Sequence, residues 1–66
     1  MSDGLYKIMI DEVNSNLTYI GKAEPGTPLS SSLWQIITIT PTGVLSADGT
    51  DEFIKVWNDR ASYSYS

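Results

Sequence analysis

Trp34-Gln35-Ile36-Ile37-Thr38-Ile39-Thr40 is the stretch on which the fold turns. It is β-branched or aromatic almost throughout, and apolar groups occur on both of its faces, so it reads as a central strand buried more than its neighbours. Pro41-Thr42-Gly43 follows as a tight connection, with proline at a turn position and glycine supplying an unusual φ. Val44-Leu45-Ser46-Ala47 then returns as a short strand, and Asp48-Gly49 is a second turn signal.

Upstream, Glu24-Pro25-Gly26-Thr27-Pro28 stops any ladder, and Leu29 with Ser30-Ser31-Ser32 prolongs the loop to Leu33. Before it, Leu17-Thr18-Tyr19-Ile20-Gly21-Lys22-Ala23 reads as a strand in which Gly21 marks a bulge or a close backbone approach. Val13-Asn14-Ser15-Asn16 is the turn leading into it. Leu5-Tyr6-Lys7-Ile8-Met9-Ile10-Asp11 is the first strand of that hairpin. Its cleaner apolar face carries Tyr6, Ile8 and Ile10, while Lys7 and Asp11 share the other with Leu5 and Met9. Residues 1–4 read as a loose start.

Downstream, Phe53, Val56 and Trp57 are spaced i, i+3, i+4, and acidic residues crowd the preceding turn. That pattern predicts a short helix or helical turn near residues 51–59, although Ile54 and Val56 favour strands. Ala61-Ser62-Tyr63-Ser64-Tyr65-Ser66 alternates strictly and reads as a last strand with both tyrosines on one face. The expected fold is therefore mainly β: a small antiparallel, barrel-like meander of about five strands forming one domain over residues 1–66. Its expected core is Trp34, Ile36, Phe53, Val56 and Trp57.

Composition narrows the function classes. A chain of 66 residues has a marginal core, and this one has neither cysteine nor histidine. Disulfides are excluded, a zinc or soft-metal site lacks the Cys and His ligands such sites use, and no cofactor is expected. Oligomerisation or docking onto a larger assembly then becomes the expected route to permanence. The net charge is −4, and Lys7, Lys22, Lys55 and Arg60 are dispersed, so neither a nucleic-acid stripe nor a basic amphipathic membrane helix is present. Residues 1–20 lack the pattern of a signal peptide, because Asp3, Asp11 and Glu12 interrupt the apolar stretch.

No nucleophile–base pair is legible, since nine serines occur without histidine and without a Ser-x-x-Lys spacing. The expectation is a protein that is not an enzyme. Asp48, Asp51 and Glu52 supply hard oxygen ligands for calcium at a spacing unlike an EF-hand loop, and helix capping explains them as well. Phosphate-loop spacing is absent. The terminal tyrosines leave two readings open. Tyr63 and Tyr65 either pack on this domain's own sheet or add to a neighbouring subunit as aromatic anchors, with Arg60 and Trp57 beside them as candidate assembly residues.

The segments Tyr19-Ile20-Gly21-Lys22-Ala23, Pro25-Gly26-Thr27, Trp34-Gln35-Ile36, Ala47-Asp48-Gly49, Phe53 with Val56-Trp57, Asn58-Asp59-Arg60-Ala61-Ser62 and Ser64-Tyr65-Ser66 occur in this order. In that order they resemble a family of small bacteriophage virion-associated proteins, over about 48 of the 66 residues. The sequence departs from that pattern at Ile54-Lys55, where polar residues are usual, and at Tyr63. The resemblance implies a virion location, other phage structural proteins as partners, and a homo-oligomeric or lattice-bound state. Capsid decoration or cementing is the first expectation, and a tail, neck or fibre attachment module the near alternative. A small acidic host-directed regulator, or a glycan-binding module with Trp34 or Trp57 exposed for stacking, represents the other classes.

Overall fold

The structure is a computed structural model and describes residues 5–66, so the expected loose start at residues 1–4 lies outside it. Four strands, β1 (Lys7–Asn14), β2 (Leu17–Ala23), β3 (Gln35–Thr40) and β4 (Gly43–Ser46), form one open antiparallel sheet in the order β1-β2-β3-β4. The chain is thus mainly β and meandering, but the sheet does not close into a barrel. A single 3₁₀ segment, η1, spans Trp57–Ser62.

Local chemistry sets each connection. The β1–β2 turn is closed by Asn14 Oδ1, which accepts from Asn16 N at 2.8 Å, and a register shift between Glu12 and Asn14 leaves Val13 as a bulge. Glu24-Pro25-Gly26-Thr27 is a turn with φ +88° at Gly26, and Glu24 O accepts from both Thr27 N and Thr27 Oγ1. Pro41-Thr42 joins β3 to β4, with φ +142° at Gly43. Asp48 and Gly49 both have positive φ, at 52° and 71°, between Ala47 O and Thr50 N, which is the type I′ signature.

Cross-strand register separates two faces. Met9, Gly21 and Ile36 share one row, and Asp11, Tyr19, Thr38 and Leu45 the next. These belong to the inner face, on which Ala23, Trp34, Ile36, Ala47 and Trp57 form the buried core. The cover over this face is irregular chain: Leu29 from the proline loop, η1, and the two terminal tyrosines. Trp34 is fixed there by its Nε1–H, which donates to Pro28 O at 2.9 Å, and by a two-way backbone bridge with Lys55.

The helical turn expected near residues 51–59 is displaced. Residues 51–56 are bent or extended, because Lys55 pairs with Trp34 as a strand residue would, and the turn begins only at Trp57. The β-branched Ile54 and Val56 favour that outcome. Consequently Phe53 and Val56, assigned to the core by helical spacing, are half-buried and stand outside the buried cluster. The fifth strand is reduced to one bridge, Ala47 with Tyr65, since Ala61 and Ser62 belong to η1.

Candidate functional site: an open sheet edge, an open sheet face and an aromatic pair

The residues nominated for assembly are engaged within the chain. Trp57 is 3% exposed, and its ring lies 6.0 Å from that of Trp34 above Gly21. Arg60 donates from Nε to Asp11 Oδ2 at 3.0 Å, pairs through Nη2 at 2.9 Å, and donates from Nη1 to Trp57 O at 3.2 Å. Its guanidinium also stands 4.6 Å from the Trp57 ring centre. It therefore ties η1 to β1, 49 residues away in sequence.

Tyr63 Oη accepts from Val56 N at 2.9 Å, and Tyr65 Oη donates to Arg60 O at 2.6 Å. The Tyr65 ring packs on Tyr19 at 5.7 Å, and burial pushes its phenol up to about 12. Ser64 O accepts from Asp48 N, and Ser46 and Ser66 exchange backbone hydrogen bonds. Of the two readings left open by the sequence, the tail packs on its own sheet, where it covers the end of the β4 edge.

The acidic cluster is similarly occupied. Asp48 Oδ2 accepts from Lys55 Nζ at 2.5 Å, and that hydrogen bond holds the Asp48 carboxyl below its ordinary value. Thr50 Oγ1 accepts from Glu52 N, and Asp51 O accepts from the Gln35 amide. Among the described residues no three acidic, Cys or His groups gather as they would around a cation. Trp34 and Trp57 are buried, so neither presents a ring face to a sugar.

The sequence pointed to sheet edges and aromatic anchors as contact features without saying which edge or which face stays uncovered. Among the described residues the outer side of β1 has no strand partner along Lys7–Asn14. The outer face of the sheet is built from three rows. Ile8, Lys22 and Gln35 form the first, Ile10, Ile20, Ile37 and Ser46 the second, and Glu12, Thr18, Ile39 and Val44 the third. Ile10 is 67% exposed and Val44 61%, with Ile8 and Ile39 also exposed. This is the face marked by Tyr6, Ile8 and Ile10 in the sequence, and it points outward.

At the first row's end, Tyr6 stacks on Phe53 at 5.7 Å and 21°. Lys22 Nζ lies 4.9 Å from the Tyr6 ring centre and 5.9 Å from that of Phe53. These two rings line an open, mostly apolar depression of about 260 Å³ together with Glu24, Thr27 and Leu33. Period-two spacing places Tyr6 on this face with Ile8 and Ile10, but nothing in the sequence placed Phe53 opposite it. No protein-family model, no curated protein and no solved structure matches this chain.

Proposed function

We propose that this chain is a non-enzymatic structural accessory protein of a bacteriophage particle, bound to the particle lattice as a capsid decoration or cement-like module. The observation that carries the reading is the eight-residue edge of β1, unpartnered among the described residues. Such an edge offers main-chain donors and acceptors to a strand of a neighbouring protein. The Tyr6–Phe53 pair at the edge's start supplies the aromatic anchor that one of the two sequence readings gave to Tyr63 and Tyr65. The ordered pattern from Tyr19 to Ser66, with its phage resemblance, supports the same class.

Mass spectrometry of purified particles tests the proposal. The protein is expected in a copy number fixed by lattice symmetry, with a capsid multiple favouring decoration and a small ring number favouring tail, neck or fibre. Absence from particles would sink the reading. Replacing Phe53 by Ala is expected to lower occupancy of the particle while leaving the buried core intact, because Phe53 stands outside that core.

A further inference from the structure

We infer that the outer face of the sheet is the contact surface of a homodimer, formed by two copies packed face to face about a twofold axis that crosses the strands at the Ile10–Ile20–Ile37 row. This goes beyond the particle assignment and does not depend on it. The face is apolar at its centre, and among the described residues most of the loop, η1 and tail cover lies on the opposite side; residues 51–53 reach only the end of the first row, where Phe53 meets Tyr6 and Lys22 and Asp51 O meets Gln35. Sheets packed this way lie about 10 Å apart with strands within about 30° of alignment.

Area favours a second copy bound weakly. Four strands spaced about 4.8 Å, each contributing about six residues of about 3.4 Å, give a flat footprint of roughly 400 Å² per copy. Side-chain relief brings the two surfaces together near the lower limit of about 1,000 Å² for a specific interface. An interface at that lower limit belongs with weak, reversible contacts rather than obligate dimers, so the dissociation constant is sought on the order of 100 μM.

Charge selects the axis. Lys22 lies in the row on one side of the centre and Glu12 in the row on the other. An axis across the strands lays the Lys22 row of one copy over the Glu12 row of the other, and does so twice. The two residues are on adjacent strands and within reach of long side chains. An axis along the strands would instead bring the Lys22 rows of both copies together and leave each Glu12 over Val44. Glu24 lines the depression beside Tyr6 and lies beyond the overlap.

Sedimentation equilibrium of the purified full chain tests this from about 1 μM to about 1 mM, a range bracketing the expected constant. Monomer at the dilute end and dimer at the concentrated end are expected. Ile10→Lys should remain monomeric throughout, with an unchanged circular dichroism melt in dilute solution. Lys22→Glu should weaken association by roughly fivefold or more, and the exchanged pair Lys22→Glu with Glu12→Lys should restore most of it. A wild-type chain that stays monomeric at about 1 mM, or an Ile10→Lys chain that dimerises as well as wild type, overturns the interface. Failure of the exchanged pair to recover affinity overturns the axis. Particle occupancy is read separately, so a loss of dimer and a loss of virion association are distinguishable.

Discussion

The inner face of the sheet carries Met9, Gly21, Ile36 and Thr38, whereas the outer face carries Ile10, Ile20, Ile37 and Ile39. By side-chain hydropathy alone the outer set is the better core. It is nonetheless the inner face that is buried, because two indoles settle there and Gly21 leaves room for them. The comparison shows that aromatic volume and one missing Cβ decide which side of a small sheet becomes the interior. Aliphatic alternation marks strands but does not say which side faces in.

Gly21→Ala attacks that asymmetry most directly. A Cβ there would stand 2.7 Å from Trp57 Cζ3 and 3.1 Å from Trp34 Cε3, and closer still to Trp57 Cε3. Both rings are buried and have nowhere to retreat. The substitution is expected to cost about 2–3 kcal/mol, a large share of the stability of so small a domain. An alanine in an ordinary strand would be neutral or slightly stabilising. Chemical denaturation decides, and an unchanged midpoint would show that the indoles do not depend on the gap.

The strands were legible because β-branched runs and Pro, Gly and Asn punctuation are local signals. Leu17–Ala23, the run around Ile36, and the Pro41-Thr42-Gly43 and Asp48-Gly49 turns all lie where local chemistry indicates. Residues 51–56 were illegible for a physical reason. Their conformation is set by the Trp34–Lys55 bridge, a contact between segments distant in sequence that outweighs helical spacing. Ala23 and Ala47 were missed as core for a related reason. They are small, and only their position beneath the indoles buries them. Gly21 signals a bulge or a close backbone approach; register runs unbroken through it, and the close partner is the Trp57 side chain, far along the chain. The candidate site was legible only as the alternation of Tyr6, Ile8 and Ile10, since being outside depends on what covers the opposite face.

Arg60→Ala tests how the cover is fastened to the inner face. It removes the Asp11 pair, the bond to Trp57 O and the cation over the indole. Asp11 and Arg60 are both partly exposed, so the electrostatic share is modest and the total cost is expected at roughly 1–2 kcal/mol. Amide exchange should rise over η1 more than over β2 and β3. A uniform rise instead would mean that the cover and sheet open as one unit.

Tyr65→Phe is a smaller change with a pH signature. Losing the hydroxyl leaves Arg60 O without its donor, at a cost of about 1 kcal/mol at neutral pH. The folded phenol titrates near 12 against a reference of 10.0, so the folded chain holds this proton more tightly than the unfolded one. The stability it contributes is fully present below pH 10 and is lost as pH rises from there towards 12. Melting temperatures of wild type and Tyr65→Phe should therefore converge across that window. A constant gap would place the Tyr65 phenol in open solvent.

Ile10→Thr is expected to have the smallest effect on folding, and it returns to the two faces. Replacing a buried isoleucine at the centre of an apolar row by threonine would ordinarily cost more than about 1 kcal/mol. Here 67% of the residue is already in water, and threonine keeps the β-branched shape that suits an edge strand. In dilute solution, where the chain is monomeric, the change should lie within about 0.5 kcal/mol of wild type. At high concentration the same variant should melt below wild type, because only the dimer buries the position. A concentration-independent loss of more than about 1 kcal/mol would mean that Ile10 already contributes to the monomer's interior, and the distinction between the faces would fail.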